Sequence, residues 1–260
     1  MTFLNTALAS NPVTRTIVRE TAKKVDLTNG VNRNNARRVA ELIQLRVNPD
    51  IAPLTEQGYK NEAARYGIRP EALHAFADIE SQATGSTVTG RLPILYEPHV
   101  VSRNSFHVHD WWEVPGMGVV CSYPRWYNPR KKAEAVPPRC TRHPYNLKME
   151  ERFQLLAFMA EINFDAALAG CSWGMFQILG ENWKALGYAS VWHFVVEMCD
   201  GGEPAQLNAA LRFLDHKDVL DDMRQGNWAT VIEAYNGPGQ VDDYLPKFLR
   251  RLSERRKLYV

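Results

Sequence analysis

Apolar positions follow helical spacing through most of the chain. In NARRVAELIQL, Val39, Leu42 and Ile43 fall on one face, continued by Arg46, and the earlier RTIVRETAKKV reads the same way. Asn48-Pro49-Asp50 breaks the pattern and Pro53 follows, which sets a boundary near 50–53. Beyond it, Thr55 is placed to cap a helix whose Tyr59, Ala63 and Tyr66 share a face and which Gly67 ends. Pro70 opens the next helix, PEALHAFADIE, and Gly85 and Gly90 mark a turn after it. The period then shortens to two in RLPILYEPHVV, with Leu95 and Glu97 on one side and Ile94 and Tyr96 on the other. Pro98 cannot donate to a ladder, so this is a sheet edge or a strand end. Residues 102–148 are rich in proline, aromatics and bases with weak periodicity, and read as a long irregular insertion of the kind that often carries function.

The rest reads as helical. One helix is expected over 150–168, and a second is expected to begin around SWGMFQ at 172–177. A third carries the stripe Leu207, Ala210, Leu211 and Leu214. A fourth, NWATVIEAYN, starts at Asn227 and stops at Gly237-Pro238-Gly239. The expected class is α+β, mainly α, with one small β region. A basic helical segment over 1–52, a packing extension or a binding element, precedes a main domain over 53–260.

At 260 residues, 45% hydrophobic and 23% charged, the chain can bury a core without staples. The net charge of +2 hides an uneven distribution. Residues 15–46 carry eight Arg or Lys against three acids, and 247–257 carry six bases against one. Solvated helix faces explain this, and so does a polyanionic partner. Phe248, Leu249 and Leu252 face one way in the C-terminal helix, with Arg250, Arg251, Arg255 and Arg256 around the rest, which suits an anionic lipid or lipopolysaccharide surface. No apolar run approaches a membrane span, and the N-terminus has neither a basic start nor an apolar core of a leader. Cys121, Cys140, Cys171 and Cys199 form no CxxC pair, so reduced thiols are expected. His107, His109, Cys121, Cys140 and His143 include zinc-ligand types, but their spacing matches no zinc module, and neither a metal nor another cofactor is expected.

Three stretches carry candidate chemistry. Glu80 lies at i+7 from Leu73 and i+4 from Phe76, so it continues an apolar stripe. A carboxylate there is costly to ionise, and its raised pKa makes it a candidate general acid, while Asp78 points off the stripe toward solvent. Glycosidic chemistry calls for a second carboxylate, and Glu97, brought across a cleft by a hairpin returning from the Glu80 helix, is the leading candidate, ahead of Asp110 and Glu113. In SWGMFQ, Ser172, Gly174 and Gln177 interrupt large apolar side chains. Gly174 permits close backbone approach, and Gln177 offers both a donor and an acceptor to a neutral ligand rich in hydroxyl and acetamido groups. In AYNGPG, Tyr235 shares a face with Trp228, Val231 and Ile232, so its ring belongs to the core, with its hydroxyl at the helix end beside Asn236.

The order Glu80-Ser81 at a helix end, then SWGMFQI, then AYNGPG, resembles the goose-type lysozyme and lytic transglycosylase superfamily. The stretch from about Leu54 onward is most similar to the N-acetylmuramidase domain of modular phage endolysins. The resemblance implies a lysozyme-like catalytic domain that cleaves the β-1,4 bond between N-acetylmuramic acid and N-acetylglucosamine in bacterial peptidoglycan. It implies Glu80 as the general acid and matches Glu97 to a family glutamate, although Pro98 stands where the family motif has arginine. It also matches Ser172, Gln177, Tyr235 and Asn236 to cleft residues. A lytic transglycosylase, or a wall-binding or virion structural protein without activity, remains an alternative. Peptidoglycan is the expected partner, with no nucleic acid and a monomeric state. The expected route is synthesis in a host cytoplasm without a leader, then release through a holin pore to the cell wall. Residues 1–50 and the insertion at 102–148 have no match in this resemblance.

Overall fold

The computed structural model describes residues 30–81, 84–125 and 140–259. The helix expected in RTIVRETAKKV lies outside them. The described helices are α1 (Gly30–Gln44), α2 (Glu56–Tyr66), α3 (Pro70–Glu80), α4 (Pro98–Asn104), α5 (Met149–Ile162), α6 (Phe164–Ala169), α7 (Val191–Asp200), α8 (Gly202–His216), α9 (Leu220–Gln225), α10 (Trp228–Asn236) and α11 (Val241–Arg256). The strands are β1 (Ile94–Tyr96), β2 (Glu113–Val114), β3 (Val119–Val120), β4 (Cys171–Trp173) and β5 (Ile178–Leu179). The mainly helical α+β class is as expected. No described helix is long and apolar enough to cross a membrane.

Local chemistry sets several boundaries where the sequence placed them. The Thr55 side chain accepts from the Gly58 N–H at the start of α2, and Gly67 closes that helix in the left-handed conformation at φ 67°. Pro70 occupies the first turn of α3, and Pro98 ends β1 by opening α4.

Other boundaries differ from the expectation. The helix expected over 150–168 is two helices, because Asn163 leaves the helical region at φ −146° and its side chain caps α6 through the Ala166 N–H. SWGMFQ does not open a helix: Cys171–Trp173 and Ile178–Leu179 are antiparallel strands joined by a tight turn. Gly174 and Gln177 hold that turn at φ 73° and 50°, values a helix cannot accommodate. The hairpin expected after Glu80 is also absent among the described residues. β1 pairs instead with β4, in the register Ile94 to Trp173, Leu95 to Ser172 and Tyr96 to Cys171, giving a three-stranded sheet in the order β1-β4-β5. The insertion at 102–148 is less irregular than expected, since it holds the β2-β3 ribbon and a 3-10 turn, Pro144–Asn146.

One large hydrophobic core runs through most of the described elements, with Leu73, Phe76, Ile94, Leu156, Phe176, Leu211, Val231 and Phe248 all buried, and a small second cluster forms around Val120 and Tyr123. Val39 and Leu42 of α1 join it, so the described part of the N-terminal segment packs on the main body, chiefly against α5. The following chain is tied down too: the Val47 N–H donates to the Gly90 carbonyl and the Asn48 N–H to the Cys199 carbonyl. α11 packs along α3 with Phe248 and Leu252 buried, and Phe248 lies 4.3 Å from the Trp228 ring. The apolar face that the sequence offered to a lipid surface is therefore turned into the protein, leaving Leu249, Arg250, Arg251 and Arg256 outward.

Candidate active site

Glu80 is the last residue of α3 and is only 7% exposed, although it sits where a helix end would ordinarily reach water. Burial pushes its carboxyl up to about 7, against an opposing hydrogen bond from Asn236. The Asn236 side-chain amide donates to Glu80 Oε1 at 2.8 Å from the last turn of α10. Asp78 behaves differently from expectation. It is not a solvated carboxylate but a bidentate partner of Arg255, at 2.6 and 2.7 Å, which fastens α11 to α3.

Tyr235 braces the same corner. Its ring meets Phe76 edge-on at 5.1 Å and Phe213 at 5.7 Å, as its core face predicted. Its hydroxyl donates to the Phe176 carbonyl at 2.7 Å, inside the β4-β5 turn. One residue of α10 thus touches the Glu80 carboxyl, and its neighbour ties the turn carrying Gln177 to the same helix end. The Gln177 side-chain amide donates to the Gly174 carbonyl at 2.8 Å, so it also stabilises its own turn. Ser172 is 7% exposed and pairs with Leu95 on one side and Leu179 on the other, so these three share one face of the sheet.

The turn depends on a residue the sequence reading passed over. Gln206 of α8 is 1% exposed; its Oε1 accepts from the Met175 N–H at 2.8 Å and its Nε2 donates to the Gly85 carbonyl at 2.9 Å. A Cβ on Gly174 would meet Gln206 Oε1 at 2.9 Å, so close approach as well as positive φ demands glycine there. Glu203, one turn earlier, accepts from the Gly85 and Leu54 N–H groups at 3.1 and 2.9 Å. The loop after Glu80 and the turn before Gln177 are therefore held by one helix. The signal was legible: Gln206, Ala209, Ala210 and Phe213 continue at helical spacing, and a polar residue on such a stripe is what singled out Glu80.

Glu97 sits elsewhere on the same sheet. It stands just past β1, with its N–H bonded to the Gly170 carbonyl, and begins α4. Its Oε2 accepts from the Tyr145 hydroxyl at 2.6 Å, and His99 Nδ1 lies 3.7 Å from the same oxygen. Glu80 meets Asn236 while Glu97 meets Tyr145 and His99, so different side chains surround the two carboxylates. Of the weaker candidates, Asp110 accepts from Ser122 at 3.0 Å and faces His107, and Glu113 is exposed in β2. The cysteines are unpaired thiols, and Cys140 accepts from the Val120 N–H. No group of three or more metal-ligating side chains converges among the described residues.

The model of one protein family matches residues 69–255, a span that runs from the start of α3 almost to the end of α11 and contains every candidate residue. The chain belongs to the N-acetylmuramidase family. A solved relative agrees with this. The crystal structure of the endolysin of Burkholderia phage AP3 aligns with a TM-score of 0.65 at 29% identity, covering 82% of this chain and 74% of that one. No curated protein matches the chain. Glu80, Glu97, Ser172, Gln177, Tyr235 and Asn236 all lie within the muramidase span, and so do the supporting Tyr145, Glu203 and Gln206.

Proposed function

We propose that Glu80 is the general acid with which this N-acetylmuramidase cleaves the β-1,4 bond between N-acetylmuramic acid and N-acetylglucosamine in bacterial peptidoglycan. The observation that carries the reading is a buried carboxyl, raised to about 7, at the meeting point of α3, α10 and the β4-β5 turn. A protonated carboxyl near neutral pH can deliver its proton to the glycosidic oxygen as the C1–O bond breaks and oxocarbenium character develops at C1. Water then adds to C1, and Glu97 takes the proton from that water or steadies the cation. Ser172 and Gln177 line the sugar side, whereas Tyr235 acts by bracing, its hydroxyl being used on Phe176.

The enzyme acts as a monomeric glycoside hydrolase on the cell wall, reached from a host cytoplasm through a holin pore. Contact with an anionic envelope surface through α11 would rest on charge alone, since Phe248 and Leu252 are buried. The second reading is a lytic transglycosylase, in which Glu80 serves as acid and then base and the muramyl 6-hydroxyl attacks in place of water. The anchored Glu97 carboxylate favours hydrolysis. Mass spectrometry of products from purified peptidoglycan tests the choice. Hydrolysis gives reducing muramic acid ends; products lighter by one water would assign the transglycosylase reaction. No products at all would leave a wall-binding protein.

A general acid must hold its proton, so activity is expected to fall as pH rises through about 7, the range in which Glu80 ionises. Asn236 favours the charged form through its hydrogen bond, so Asn236→Ala should raise the Glu80 pKa and carry the alkaline limb of the pH–rate profile upward. A limb that stays in place or moves down would reject Glu80 as its origin.

A further inference from the structure

Tyr145 comes from the long insertion and has no place in the motifs that carry the resemblance. It sits in the 3-10 turn Pro144–Asn146, which starts on buried Pro144 and is fixed where the Tyr145 N–H donates to His143 Nδ1 at 3.2 Å. From there its hydroxyl reaches Glu97 Oε2 at 2.6 Å, with His99 Nδ1 3.3 Å from the same hydroxyl. The contact joins residues 48 positions apart and is short, as expected of a neutral O–H donor on a charged acceptor. Burial and the adjacent Glu97 carboxylate both push the phenol pKa well up, so the hydroxyl keeps its proton and remains a donor.

Glu97 has a fixed backbone, through Gly170 at its N–H and through Val100 and Val101 at its carbonyl. Its side chain does not cap the helix that it begins. Side chains meet the carboxylate itself, His99 at 3.7 Å and the Tyr145 hydroxyl at 2.6 Å, and the shorter bond comes from a residue held in its own turn. We propose that Tyr145 is a positioning residue for the reaction, holding the Glu97 carboxylate in the orientation from which it assists the attacking water. The inference rests on the reading of Glu97 as the second carboxylate.

Tyr145→Phe keeps the ring and removes only the donor. On soluble peptidoglycan glycan chains, kcat is expected to fall roughly tenfold with KM within about twofold, because positioning acts on the transition state and not on ground-state binding. The melting temperature should remain within a few degrees of wild type. Glu97→Gln, measured alongside, should lower kcat at least as much. A wild-type kcat in either variant overturns the inference, as does a loss in Tyr145→Phe fully accounted for by a smaller folded fraction. Glu80→Gln in the same assay reports on the acid separately: activity above a few per cent there would overturn the acid assignment whatever Tyr145→Phe does.

Discussion

Glu80→Gln is expected to lower peptidoglycan cleavage by at least about a hundredfold, the usual scale for removing a general acid, while making the protein more stable above neutral pH. The two effects share one cause. The carboxyl is raised from an ordinary 4.5 to about 7 in the folded protein, mainly by burial. Between those values the folded chain binds more protons than the unfolded one, so stability falls as pH rises through that window and the full penalty is present above it. A shift from 4.5 to about 7 corresponds to about 3 kcal/mol. Glutamine has nearly the same shape, can still meet Asn236 and never ionises. Melting curves of the two proteins should lie close together near pH 4.5 and separate by pH 8, with Glu80→Gln the higher. More than a few per cent of residual activity would sink the catalytic assignment. Coincident melting curves at pH 8 would show that the carboxyl is not buried at an energetic cost.

Gln206→Leu is expected to cause the larger structural damage. The volume is nearly conserved, so no large cavity forms, but the Met175 N–H and the Gly85 carbonyl both lose their partner. Each buried backbone group left unpaired costs about 1–3 kcal/mol, giving a loss on the order of 3 kcal/mol and a melting temperature lower by roughly 10 °C. The damage falls on the two segments that flank the site, so the surviving folded fraction should also bind glycan less well, with a raised KM. Gln206→Glu retains the acceptor for Met175 but loses the donor to Gly85 and places a second carboxylate near Glu203, so it should be no better than leucine. A Gln206→Leu protein melting within about 2 °C of wild type would show that water or a shifted loop replaces both bonds.

What the sequence revealed and what it hid follow from the range of the interactions. Glu80 was legible as a buried carboxyl because a helix with a known phase placed it on the stripe of Leu73 and Phe76. Tyr235 was legible for the same reason, although the destination of its hydroxyl, a carbonyl 59 residues away, was not. SWGMFQ was misread because a short apolar run is as compatible with two buried strands as with a helix, and the deciding feature is the positive φ at both ends of the turn. The partner of β1 was hidden for a related reason. β4 lies more than seventy residues further on, and no local turn chemistry announces a pairing across that distance. The environment of Glu97 depends on Tyr145 and His99, which only the folded chain brings together.

The seam between α3 and α11 bears on how the enzyme can be cut and rebuilt. Residues 247–260 look like a detachable cationic tail, and shortening the chain there is the obvious way to ask whether the tail binds the envelope. Yet that cut also deletes Phe248 and Leu252 from the core and strips Asp78 of its Arg255 partner, two residues from Glu80. A truncated enzyme that fails on whole cells would therefore say nothing about envelope binding. Reversing the outward charges at Arg250, Arg251 and Arg256 while keeping Phe248, Leu252 and Arg255 separates anchoring from attraction. The same seam identifies this helix as a poor place to graft a foreign targeting peptide by replacement.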